Sequence, residues 1–100
     1  MKYGLFGKFE SQPGERDALI AILIEASRLL ERNKDCLAYV VGKSDKSNEV
    51  WVSELWESKE AHDASLEPED ILSLIMTARP LIAEMPIGTE YEVLGGKGLS

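Results

Sequence analysis

Apolar and polar positions alternate with period two over residues 2–10: Tyr3, Leu5, Gly7 and Phe9 take one side, Gly4, Phe6, Lys8 and Glu10 the other. That predicts a first strand, closed by the turn chemistry of Pro13-Gly14. From Glu15 the period becomes helical. Leu19, Leu23, Ala26 and Leu30 share one side with Ile20, Ile24 and Ser27, opposite Glu25, Arg28 and Arg32. So wide an apolar arc predicts a helix lying on a sheet, with Ile22 and Leu29 at its margins and Asn33-Lys34-Asp35 ending it. Residues 36–43 and 49–57 read as a second and a third strand, apolar on both faces and joined by a polar loop of hairpin length.

At Ser58 the pattern changes again, to an N-cap followed by a short helix over 59–65. Pro68 opens a further helix, with Ile71, Leu72, Leu74, Ile75 and Ala78 as its apolar face, and Pro80 ends it. Pro86-Ile87-Gly88 reads as a loop, residues 90–94 as the last strand and 95–100 as a frayed tail. The order β-α-β-β-α-β predicts a single α+β domain over 1–100, ferredoxin-like, with a four-stranded antiparallel sheet and its helices on one face. The other face, which carries Trp51 and Val40 or their opposite-face neighbours, then needs cover. A homodimer packed sheet against sheet is the expectation.

Charge and composition narrow the partners. A net charge of −7 argues against nucleic acid and against anionic membranes. No apolar run approaches the ~20 residues of a membrane span, and the N-terminus lacks a signal-peptide core. A cytoplasmic location is expected. Cys36 is the single cysteine and His62 the single histidine, so neither an internal disulfide nor a metal site is expected.

Chemistry concentrates where the third strand meets the short helix. Trp56 and His62 flank that corner, and a flat ring beside an imidazole, the side chain most often used as a general base, suits a pocket wall with a base. A core tryptophan and a surface histidine fit the same residues. Glu54 and Glu57, on either side of Trp56, read as salt-bridge or solvent-facing groups rather than a catalytic pair.

Several stretches bear a family resemblance: Pro13-Gly14-Glu15 with Leu19, Cys36-Leu37-Ala38-Tyr39, the run from Glu54 to His62, and Tyr91-Glu92-Val93. On these the chain resembles the antibiotic biosynthesis monooxygenases, dimeric α+β barrel proteins that include small quinol oxygenases. Glu-x-Trp-x-Ser-x-Glu-Ala is the most specific part. Ser65 departs from the pattern, since many relatives carry a histidine there. The heme-degrading branch uses an asparagine where this chain has Gly7 and a later helical histidine absent from 68–83.

The resemblance implies a monooxygenase without cofactor, acting on a small quinol- or anthrone-type aromatic with O2. His62 would be the base and Trp56 the stacking wall, with Tyr3, Tyr39 or Arg79 binding substrate. The alternative is a dimeric protein that binds a hydrophobic metabolite without chemistry; it needs only apolar walls, whereas catalysis needs a proton acceptor inside the pocket.

Overall fold

The computed structural model describes residues 1–99. It contains β1 (Tyr3–Ser11), α1 (Arg16–Leu30), β2 (Cys36–Lys43), β3 (Glu49–Trp56), α2 (Lys59–Ala64), α3 (Glu69–Ala78), a 3₁₀ turn (Arg79–Leu81) and β4 (Ile82–Glu92). The strands form one antiparallel sheet in the order β2-β3-β1-β4, the ferredoxin-like α+β arrangement.

Period-two alternation decides what each face does. Val50, Val52, Glu54 and Trp56 of β3 lie in register with Phe9, Gly7, Leu5 and Tyr3 of β1 on the face that α1 covers. Leu19 and Leu23 of α1 pack there with Val50, Val52 and Ala78, and Leu30 packs with Tyr3 and Trp56. Fully burying a side chain such as Leu19 contributes about 1.5–3 kcal/mol. Gly14, at φ 77°, makes the left-handed turn into α1. Arg16 at the helix start then donates to the carbonyls of Ser44 and Lys46, tying α1 to the β2–β3 hairpin.

The last third of the chain corrects two expectations. Residues 86–88 do not form a loop: β4 starts at Ile82 and runs through them. Pro86 is tolerated because β4 is an edge strand and because the β1–β4 ladder shifts register between Lys8 and Glu10, opposite Met85 and Pro86. Leu72 does not join the inner face of α3; it is exposed, while Ile71 and Ala78 are buried. Residues 93–99 continue past the sheet without helix or strand, and Ser100, the end of the tail expected at 95–100, lies outside the described residues.

Among the described residues, no helix lies on the second face of the sheet. Phe6 stacks on Trp51 there with ring centroids 5.1 Å apart, and the Trp51 indole N–H donates to Glu49. Val40 and Ile87 on this face are 59% and 65% exposed.

Candidate active site

α3 packs chiefly on α1 and meets the strands at its last residue, Ala78, and the space left above the sheet is a cavity of about 590 Å³. Its walls are overwhelmingly apolar: Phe9 from the sheet, Ile22, Leu23 and Ala26 from α1, Leu74 and Ile75 from α3. Glu54, His62 and Tyr39 supply polar groups deep in this wall, and Arg79 and Glu84 add charge from the 3₁₀ turn and β4.

Glu54 reaches the cavity because β3 alternates. It occupies the inward register between Val52 and Trp56, opposite Tyr39 of β2 and Leu5 of β1. Its Oε1 accepts from the Trp56 indole N–H at 3.1 Å and lies 3.8 Å from His62 Nε2. Burial pushes its carboxyl above the ordinary carboxylate value, while the Trp56 hydrogen bond and the His62 charge pull it back. Burial, and then the Glu54 charge, likewise push the Tyr39 phenol well above its usual value, so the group stays a neutral hydroxyl able to donate.

His62 is positioned by α2. Ser58 caps this short helix by accepting from the Ala61 N–H at 3.1 Å. The cap turns the first helical turn so that the His62 side chain points inward, with 12% of it exposed. Tyr3 lies 5.3 Å from its ring, tilted by 46°, and Trp56 meets it edge-on at 5.6 Å. His62 Nδ1 lies 3.0 Å from Asp63 Oδ1. The imidazole thus sits between two carboxylates, one facing the cavity and one facing solvent.

The expected site residues divide. His62, Tyr39 and Arg79 meet around the cavity. Trp56 does not: at 0% exposure it is a core residue behind Glu54 and cannot stack on a ligand. Its part in the site is the hydrogen bond to Glu54. Tyr3 is likewise buried, beneath His62 and under the Lys59 ammonium, 5.5 Å from its ring centre, and does not line the cavity. Glu54 is the residue that sequence reasoning set aside. Its signal was a charged side chain at an inward position of an otherwise apolar strand face. Among the described residues, no group of three or more histidine, cysteine or acidic side chains is arranged to hold a metal ion, and no helix is long and apolar enough to cross a membrane.

The model of the antibiotic biosynthesis monooxygenase family matches residues 3–73, a span that includes Glu54 and His62. Among solved structures the chain is similar to a candidate antibiotic biosynthesis monooxygenase from Chloroflexus aurantiacus J-10-fl. The two share 40% identity over 100% of both chains, with a TM-score of 0.90. Rv0793 from Mycobacterium tuberculosis is 20% identical over 97% of this chain and 99% of that one, with a TM-score of 0.86. A Caulobacter crescentus CB15 protein, named as another candidate monooxygenase of this kind, is 17% identical over 94% and 91%, with a TM-score of 0.87. These two show the shared fold. Comparison with curated protein sequences gives no match. By the family match and the 40% identity over the full chain, this protein belongs to the antibiotic biosynthesis monooxygenase family.

Proposed function

We propose that the protein is a cofactor-independent monooxygenase that oxidises a small, flat quinol- or anthrone-type aromatic with O2 inside this cavity. One observation carries the reading: a proton-accepting pair, Glu54 and His62, is set 3.8 Å apart in the wall of an otherwise apolar cavity of about 590 Å³. That volume suits a small polycyclic ligand. A protein that only stored a hydrophobic metabolite would have no use for a buried carboxylate, which costs free energy to desolvate.

In the proposed reaction the ring methylene of an anthrone becomes a ketone carbonyl: the substrate and one molecule of O2 give the ketone and one molecule of water. His62 Nε2 takes a proton from the substrate, and Glu54 stabilises the imidazolium that forms. The substrate anion is itself the electron donor. It reduces O2 and combines with it to a carbon-bound peroxide, to which the pair returns the proton. Loss of water from that hydroperoxide, with cleavage of its O–O bond and removal of the remaining C–H proton, gives the ketone. The Tyr39 hydroxyl and the Arg79 guanidinium serve as donors to the developing oxyanion, and the apolar walls hold the ring and exclude water. The same reading places a second copy of the chain on the open sheet face, over Val40, Trp51 and Ile87.

The test is oxygen uptake by purified, metal-free protein with a panel of anthrones and quinols, corrected for autoxidation. Protein-dependent uptake is expected, falling by about 10²–10⁴ in His62→Ala, the range a general base contributes. Uptake that persists in His62→Ala discards the assigned base. Absence of uptake, with tight binding of a panel member, replaces the enzyme by a binding protein.

A further inference from the structure

We infer that Asp63 is a positioning residue that fixes His62 in its Nδ1–H tautomer, so that the accepting nitrogen is the one facing Glu54. For its effect on rate this inference rests on the monooxygenase reading; the tautomer itself does not.

Two carboxylates compete for one proton on a neutral imidazole. If the proton is on Nδ1, the ring donates to Asp63 Oδ1 at 3.0 Å and turns the Nε2 lone pair toward Glu54. If the proton is on Nε2, the lone pair of Nδ1 faces the oxygen of Asp63 at that same short distance, and the only gain is a contact at 3.8 Å to Glu54. A separation of 3.0 Å is a hydrogen bond and 3.8 Å is not, so the first arrangement wins. The ring cannot easily swing to escape the choice, because Tyr3 and Trp56 pack on it from two directions.

Asp63 is in turn held in place. Its Oδ2 lies 3.7 Å from Lys59 Nζ, one helical turn earlier, and Lys59 reaches across to Glu90 Oε1 of β4 at 3.4 Å. The two carboxylate oxygens therefore face separate partners, the imidazole and the ammonium. The His62 hydrogen bond, with help from the Lys59 charge, also holds the Asp63 carboxyl below the usual carboxylate range, so it is ionised when the base must work. The groups facing the ring are then Glu54 from β3, Tyr3 from β1, Asp63 and Lys59 from α2, and, through Lys59, Glu90 from β4. A carboxylate that orients a histidine in this way controls which nitrogen accepts the proton.

His62 is the only histidine in the chain, so its ring nitrogens give the only imidazole signals in a ¹⁵N-labelled sample. Long-range ¹H–¹⁵N correlation spectra of the neutral ring read the tautomer directly, without substrate. The wild type is expected to show the proton on Nδ1. Asp63→Ala is expected to move a large share of it to Nε2, and Lys59→Ala a smaller share. With a turned-over substrate, Asp63→Ala is expected to lower kcat by about 10- to 100-fold with KM unchanged, part of what the base itself contributes. A proton on Nε2 in the wild type, or the same tautomer in Asp63→Ala, overturns the inference; a moved tautomer with unchanged kcat overturns its effect on rate. A protein that shows the Nδ1–H tautomer and its loss in Asp63→Ala, yet oxidises nothing, keeps the tautomer control and discards the monooxygenase.

Discussion

Replacing Trp56 by phenylalanine removes one hydrogen bond and part of one buried ring, and the two losses have separate readouts. Trp56 is wholly buried among Tyr3, Leu30, Cys36 and Ala61. Losing its N–H···O bond to an ionised carboxylate costs about 1.5–3 kcal/mol, and the void left by the smaller ring adds about 24 cal/mol per Å³ that does not collapse. A total near ~3 kcal/mol is expected, a drop of roughly 12–24 °C in Tm for a chain of this size at about 4–8 °C per kcal/mol. Urea unfolding followed by circular dichroism measures it. The functional readout has a definite sign. The indole N–H stabilises ionised Glu54, so without it the carboxyl rises further above its ordinary value. The proton-free Glu54–His62 pair then disappears at higher pH. The acid limb of kcat/KM must therefore move upward in Trp56→Phe, as a property of the pair rather than of either group. In a Glu54→Gln background the Trp56→Phe change should cost less stability, by about 1 kcal/mol or more, because the charge-assisted part is already gone. An acid limb that stays put or moves down, together with additive stabilities, would refute the hydrogen bond as a determinant of the site.

Two other perturbations probe different parts of the molecule. Glu54→Gln removes a carboxyl whose folded-state proton affinity is raised above the ordinary value of 4.5. Between 4.5 and the raised value the folded wild type holds more protons than the unfolded chain, so its stability falls as pH rises through that window. The variant lacks this slope. Its stability relative to wild type is expected to grow with pH while activity is lost; a difference curve flat in pH from denaturant titrations would contradict the burial of that charge. On the open sheet face, Val40→Asp sets a charge in the surface proposed for the second copy, 59% exposed in the single chain. Sedimentation velocity is expected to show a dimer for wild type and a monomer for the variant, and a monomeric wild type removes the pairing.

The fold was legible because its two periods are clean. Alternation in β1, the two-faced apolar runs of β2 and β3, and the four-residue rhythm of Leu19 and Leu23 placed the sheet and the helix that covers it. β4 was misread because its edge position and register shifts admit Pro86, a residue that sequence reasoning takes as the end of a strand. An edge strand is defined by what does not pair with it, and Pro86 alone does not tell an edge strand from a loop.

The site was half legible for a related reason. Trp56 and His62 were singled out by type, but residue type does not say whether a ring faces a cavity or fills the core. For Trp56 that depends on long-range packing, since Leu30 of α1, Ala61 of α2 and Tyr3 of β1 close over it. Glu54 could have been found from the strand alone. Val50, Val52 and Trp56 share one face by period two, and the same period places Glu54 between them on that face. A carboxylate there must find donors or a polar cavity, since leaving it unpaired in an apolar layer costs several kcal/mol. Trp56 supplies one donor and His62 a second partner. The same local pattern therefore explains both why Glu54 is tolerated and why Trp56 is in the core: the indole buries its ring against Leu30 and Tyr3 while its N–H holds the acid at the cavity wall. An inward acid followed two positions later by tryptophan is thus a structural unit, and substitutions at either position should be read at both.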